Sequence, residues 1–418
     1  GMRFVTWGGE PGSSGKIDIC DAETGDRITA PLTHPDEVTG ARFSPQGGLL
    51  LSWSGIHNQG EARVTRIRDG TTVVMQPQEG PAFAGMAVDA EESRLLIWRG
   101  AGPGEAGEVM ICDLSQAGKV IQRIRHDLPV RDVLWSRDAT RVLTVASETF
   151  GAGEWGLWSA QGEAVMPMQR TDEPVSGAFF SHDGARFLVA QSTNGAGMAY
   201  WRNSFSGDVV GLAIHHPQPI EGCVLSPDGK WIGSWTSGSE LRVWSSSARE
   251  PEGVCAVRFP AAVLGCVFSP DSRRLLAWAT DGTARIWDVI ANRPVGRPLQ
   301  HSHRVLAASL STDGEIALTW TVNGPTRLWS TEYGLLLATL APQGVAAMTP
   351  DARRVLVGDT LGGVRLWRGL PADPNLTCVA ARAQLEFRSG ARLEHSGELR
   401  TLREDEWKAV TGLVGAGK

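Results

Sequence analysis

Tyrosine is nearly missing from this chain: there are 2 in 418 residues, beside 16 tryptophans and 11 phenylalanines. Cysteine is sparse as well, with six thiols at positions 20, 112, 223, 255, 266 and 378 and no CxxC pair. That pattern excludes a disulfide framework and leaves free, mostly buried thiols as the expectation. No uninterrupted apolar stretch approaches the roughly 18 residues needed to cross a bilayer. The N-terminus also lacks a basic segment followed by an apolar one, so a cytoplasmic location is expected. There is no run of five basic residues, and 40 Lys and Arg against 46 Asp and Glu leave a formal charge of −6. Nucleic acid and anionic membranes, which select clustered cations, are therefore not the expected partners. Fifty glycines exceed the ordinary share, yet with 23 prolines they stay below the roughly 25–30 % of a low-complexity chain, so the sequence should fold.

What is present is repetition. Short apolar runs end in tryptophan at Gly156-Leu157-Trp158, Ala199-Tyr200-Trp201, Arg242-Val243-Trp244, Arg285-Ile286-Trp287, Arg327-Leu328-Trp329 and Arg365-Leu366-Trp367. The register extends back through Cys112, Arg68 and Cys20, giving nine positions spaced 38 to 48 residues apart. A second register runs through Phe43-Ser44-Pro45-Gln46-Gly47, Phe180-Ser181-His182-Asp183-Gly184, Leu225-Ser226-Pro227-Asp228-Gly229, Phe268-Ser269-Pro270-Asp271, Leu310-Ser311-Thr312-Asp313-Gly314 and Met348-Thr349-Pro350-Asp351. Each is an apolar strand end followed by turn chemistry, because proline presets φ and Asp-Gly supplies a side-chain cap and a residue at ease with positive φ. The apolar runs that follow, such as Leu49–Trp53, Arg94–Trp98 and Ile316–Trp320, are too short for helices and read as buried strands.

Four short strands per unit is the signature of a propeller blade. Residues 264–288, with their Phe268-Ser269-Pro270-Asp271 turn and terminal Ile286-Trp287-Asp288, resemble the units of bacterial WD-repeat (tryptophan-aspartate repeat) β-propellers. The resemblance covers about residues 2–368. It implies an all-β fold: a single propeller of nine four-stranded blades, with eight as the alternative. Nine second-strand/third-strand hairpins can be counted but only eight innermost strands, so the first blade lacks one. Ala391–Leu399 parallels Ala41–Leu49, and a strand at about 391–394 is expected to close the ring, as WD-repeat propellers generally do. The chain thus divides into a propeller, 2–368, and a tail, 369–418, that supplies the closing strand. Thr401 followed by Glu404 has the capping-box pattern of a short terminal helix that packs Trp407.

Several residues invite a chemical reading. Twelve tryptophans end second or third strands, a spacing that suits packing between blades better than a ligand-binding row. Histidines at 34, 126, 215, 216, 301 and 303 precede innermost strands. WD-repeat families use histidine there in a buried network with Ser or Thr, Asp and Trp, which outweighs a Ser-His-Asp triad. The Asp-Gly turns lack the ligand spacing of a calcium loop, no Cys/His cluster suggests a metal, and the glycine-rich segments lack a following Gly-Lys-Ser/Thr, so no metal or cofactor is expected.

One asymmetry exceeds the needs of a scaffold. The loops between second and third strands are long and polar in the first five units and short in the last four. Glu61, Glu105, Glu108, Glu148 and Glu154 make this sector acidic, and His57, Phe150 and Trp155 are candidate apolar anchors for a basic protein or peptide. The reading that follows is a non-catalytic interaction scaffold, monomeric and part of a larger multidomain protein. One alternative is a small-ligand or glycan binder using Trp155. The other is a hydrolase or lyase built at the channel mouth from Asp36, Glu37, Arg131, Asp132, Glu221 and Arg304. Deleting residues 385–418 should lower the melting temperature sharply if the tail closes the ring; an unchanged melt in differential scanning calorimetry argues against closure.

Overall fold

A computed structural model of the chain describes residues 3–368 apart from 10–12, 56–59, 76–82, 101–105, 149–150, 194, 212, 247–252, 323, 344–345, 350–351 and 359–363, together with 391–393 and 399–401. The described residues form nine successive antiparallel sheets, a two-stranded hairpin in the tail and no α-helix. Blade 1 holds Arg3–Gly8, Gly15–Asp21 and Leu32–His34; blade 2 holds Val38–Phe43, Leu49–Ser54, Ala62–Arg66 and Thr72–Met75. Blade 3 follows with Phe83–Val88, Arg94–Arg99, Gly107–Asp113 and Lys119–His126, and blade 4 with Val130–Trp135, Arg141–Ser147, Gly153–Ser159 and Gln169–Thr171. Blade 5 is Val175–Phe180, Arg186–Thr193, Ala196–Asn203 and Ile214–His216, and blade 6 is Ile220–Leu225, Trp231–Thr236, Glu240–Ser245 and Gly253–Arg258. Blade 7 comprises Val263–Phe268, Arg274–Ala279, Thr283–Asp288 and Arg293–Gln300, and blade 8 Val305–Leu310, Ile316–Thr321, Pro325–Ser330 and Leu335–Gln343. Blade 9 shows Ala346–Met348, Arg354–Gly358 and Val364–Arg368. In each sheet neighbouring strands are consecutive in sequence. This is the architecture of a nine-bladed β-propeller.

Two compact units are distinguished, one of Gly1–Cys223 and one chiefly of Val224–Ala248 and Glu252–Lys418. Within each, the core is a series of layers between consecutive sheets. In the first unit Leu51, Val64, Met86, Leu95 and Ile97 join blades 2 and 3, while Trp155, Leu157, Phe187 and Val189 join blades 4 and 5. In the second, Leu276, Ile286, Leu299, Val305 and Leu310 join blades 7 and 8.

The turns between first and second strands form as expected. Ser226 donates through Oγ to Asp228 at 2.6 Å and accepts the backbone N–H of Trp231 at 2.9 Å, and Ser181, Ser269 and Ser311 act alike. The residue closing each turn is left-handed: Gly47, Gly184, Gly229 and Gly314, but also Glu92, Ala139, Ser272 and Ala352. In blade 2, where Gln46 replaces the aspartate, Glu92 of the next turn accepts the Ser44 hydroxyl.

Register corrects one repeat position. Cys20 pairs with Phe4 and Cys112 with Leu95, as Trp287 pairs with Leu275. In blade 2 the residue opposite Leu50 is Thr65. Arg68 lies beyond that strand, in the turn before Thr72–Met75, so Thr65 and not Arg68 stands at the tryptophan layer. The apparent match of Arg66-Ile67-Arg68-Asp69 to a strand end is a turn sequence. Blade 1 begins at the second-strand position, and the tail strand Ala391–Leu393 is present, described as a hairpin with Leu399–Thr401. Thr401 ends that second strand; the expected helix and Trp407 lie outside the described residues.

Glycine and tryptophan meet across the first two strands. Gly40, Gly85 and Gly265 pair with Trp53, Trp98 and Trp278, and each indole lies where a Cβ would project, 2.6 Å away for Gly265 and Trp278 Cζ2. Gly265→Ala should therefore destabilise by about 1–3 kcal/mol. Ala139→Gly should stabilise by up to about 1 kcal/mol by relieving a left-handed φ of 55°. Chemical denaturation of both variants measures the opposite signs.

Candidate functional site

The residues that look chemical in the sequence fall into three groups once the sheets are in place. The first is a network that ties one blade to the next. His126, ending the fourth strand of blade 3, bonds through Nε2 to Thr144 Oγ1 of blade 4 at 3.0 Å, and Trp158 Nε1 donates to the same oxygen at 2.9 Å. His301, Thr319 and Trp329 repeat this between blades 7 and 8 at 2.8 and 2.8 Å, and His34 meets Ser52 at 2.9 Å. His34, His126, His216 and His301 are buried, whereas His215 and His303 are exposed. Third-strand arginines add a clamp that the sequence did not suggest: Arg63 and Arg327 donate to the carbonyls of Thr33 and Gln300 in the preceding blade, at 2.5 and 2.8 Å.

Most of the described long-loop acids belong to this scaffold. Glu154 is 2 % exposed and sits 3.4 Å from His126 Nδ1; it accepts the Asp127 N–H at 3.1 Å and pairs with Arg170 Nε at 3.1 Å. The loop between the second and third strands of blade 4 contains no aspartate, and Glu154, at the start of the third strand, is the acid beside this histidine. Trp155, also 2 % exposed, packs edge-on against Phe187 at 5.7 Å beneath the Arg202 guanidinium. It is core, because Gly153–Ser159 starts earlier than the loop reading assumed. Glu108 is buried between Arg99 and Arg123, at 2.6 and 3.0 Å, and Glu61 pairs with Arg63 at 2.5 Å. Glu148 is half-buried. His57, Glu105 and Phe150 lie outside the described residues. Three acids of this sector, Glu61, Glu108 and Glu154, are thus paired with arginines on their own sheets.

The third group lies on or beside first strands. Glu37 is half-buried, its N–H donating to Asp36 Oδ1 at 2.8 Å. Arg131 is exposed and donates from Nε to the Ser147 carbonyl at 2.9 Å; Glu221 and Arg304 are exposed. Asp132 reaches solvent, yet the surrounding protein pushes its carboxyl above the usual carboxylate range, opposed by the Val133 N–H and by Arg42. Arg42, which the sequence reading passed over inside its Ala-Arg-Phe-Ser-Pro run, lies over the Trp98 ring with Cζ 5.9 Å from the centroid. Among the described residues no group of three or more His, Cys, Asp or Glu is placed to hold a metal ion. None of the four described cysteines, 20, 112, 223 and 266, forms a disulfide, and burial pushes the thiols of Cys112 and Cys223 up to about 12.

The repeat and its networks define a propeller built of WD-like units. Residues 253–288 match the family described as WD domain, G-beta repeat. Among solved structures, the C-terminal WD40 domain of Sif2 is similar at 15 % identity and a TM-score of 0.57, covering 80 % of this chain and 96 % of that one. The Dos1 propeller aligns at 14 % identity and a TM-score of 0.56, over 77 % and 90 % of the two chains. Sqt1 from Chaetomium thermophilum, bound to the N-terminus of ribosomal protein L10, aligns at 14 % and 0.56, over 88 % and 94 %. At these identities the likeness concerns the fold. No curated protein matches the chain.

Burial drives the blade histidines below their usual range, His34 and His301 to about 4, helped by Arg63 and Arg327 respectively. Between there and the ordinary histidine value of about 6.5 the unfolded chain binds protons that the folded chain refuses, so stability is lost as pH falls through that window. The melting temperature should drop between pH 6.5 and 4.5. His301→Gln, less stable at pH 7.5, should fall less steeply in the same scan.

Proposed function

We propose that this chain is a non-catalytic WD-repeat interaction module that works in the cytoplasm as a monomeric part of a larger protein, holding a protein or peptide on the face that carries its long loops. The observation behind this reading is the employment of its reactive side chains: His34, His126 and His301 are blade ties, and Glu61, Glu108 and Glu154 are blade ion pairs. Groups spent in this way are positioned for stability, and loop length without a packing role is more often used for binding. The Sqt1 propeller offers a precedent in kind, since it holds the N-terminal segment of another protein.

Loop length, rather than loop charge, supports the choice of face. A site over the first strands remains the second reading, favoured by the unusual setting of Asp132. Shortening the loops at 55–60, 100–106 and 148–152, which spares Glu154 and Trp155, should abolish capture of partners that the intact chain retains in a pull-down. If both forms capture the same proteins equally, the loop face is not the docking surface.

A further inference from the structure

The chain carries six more acids than Lys and Arg, yet one surface of blades 7 and 8 is cationic and apolar at once. Ile290 at 67 % and Tyr333 at 57 % are two of the three most exposed large apolar side chains among the described residues. Each sits in a turn between third and fourth strands, Ile290 in blade 7 and Tyr333 in blade 8. Asp288 caps the first of these turns, accepting the N–H groups of Ile290 and Ala291 at 3.0 and 2.8 Å. The fourth strand of blade 7, Arg293–Gln300, joins the two turns. Its Arg293 pairs with Asp288, and its left-handed Gly296 lies so close to the blade 8 turn that a Cβ would be 2.7 Å from the Thr331 carbonyl oxygen. The next residue, Arg297, donates its N–H to the Tyr333 carbonyl at 3.4 Å. Beside the first turn, the Val289 N–H donates to the Arg273 carbonyl at 2.9 Å. Arg273, Ile290, Arg293, Arg297 and Tyr333 therefore follow one another along a single edge of the two blades.

All three arginines are exposed, and among the described residues none makes a side-chain hydrogen bond or an ion pair within 4.0 Å. The neighbouring acids are engaged elsewhere. Asp288 caps its turn, and Asp271 accepts the Ser269 hydroxyl at 2.5 Å and the Arg273 N–H at 3.1 Å. Glu332 is exposed, one acid against three arginines. Pro294 and Pro298 remove two N–H groups from the outer strand, which blunts it against the addition of another strand. A partner here is held by side chains.

We propose that this edge docks an acidic peptide segment of another protein, whose carboxylates pair with Arg273, Arg293 and Arg297 and whose aliphatic or aromatic side chain packs on Ile290 and Tyr333. Charge complementarity selects the occupant, because three guanidinium groups that the fold leaves unpaired gain acceptors. Covering two exposed apolar side chains adds the hydrophobic contribution. The surface belongs to blades whose loops between second and third strands are short, so it does not depend on the long-loop face.

A phage-displayed library of random dodecapeptides, selected on the intact chain, tests the proposal. Enriched peptides should combine Asp or Glu with Leu, Ile, Phe or Trp. In fluorescence anisotropy they should bind saturably, and at least about tenfold more weakly at about 300 mM salt than at about 50 mM. The combined variant Arg273→Glu, Arg293→Glu and Arg297→Glu should lose this binding while the melting temperature of the free chain stays unchanged. Ile290→Ser alone should weaken it at least about threefold. The chain with shortened loops should bind the same peptides with unchanged affinity. The proposal is overturned if no acidic peptide is enriched, if the arginine variant or Ile290→Ser binds as tightly as the intact chain, or if shortening the loops abolishes binding.

Discussion

A four-stranded sheet of this kind is apolar on both faces, and a sheet alone can bury neither. The rest of the structure follows from that constraint, because each blade is stable only against a neighbour. Leu95 and Ile97 of blade 3 sit in one layer with Leu51 and Val64 of blade 2, while Leu96 and Ile111 sit in the next with Val133 and Val142 of blade 4. Alternate residues of one strand therefore serve two interfaces, which is why the apolar runs are continuous rather than alternating. Polar ties cross the same interfaces. A histidine from one blade reaches the Ser or Thr of the next, and an arginine of the next reaches back to a carbonyl of the first. In a buried setting such bonds are strong and their loss is costly, so they fix register as well as adding stability.

The odd aromatic balance has the same origin. A large flat ring opposite a glycine lets two strands approach while the indole covers the missing side chain, as at Gly40, Gly85 and Gly265 in blades 2, 3 and 7. At the third strand the indole N–H completes the histidine network through Thr144 or Thr319, and Trp244 donates likewise to Ser234. Tyrosine would not serve, since its hydroxyl at the ring tip cannot reach sideways to a neighbouring strand in the same way.

Repetition also clarifies function by subtraction. Residues that recur in every blade belong to the scaffold, and residues that depart from the pattern need another reason. Glu154 departs in sequence, and its place is taken up within the scaffold by His126 and Arg170. Asp132 and Arg42 depart in sequence, as charged residues at first-strand positions where the other described blades carry small or apolar ones.

Nine units, their strand order and their turns were legible in the sequence because each depends on local rules: serine and aspartate capping a turn, proline fixing φ, and a short apolar run too brief for a helix. The first blade's missing strand and the tail strand at 391–393 were legible by the same counting. Which side of a strand a residue serves was not. Trp155 and Glu154 read as loop residues until pairing with Val145 and Ala146 placed them in a strand, and Arg68 read as a strand residue until Thr65 took its position opposite Leu50. The sequence by itself determined the repeat, since periodicity is a property of the chain. Only the tertiary structure decided which acids are already neutralised and which charges stand alone, because that depends on cross-strand partners far away in sequence.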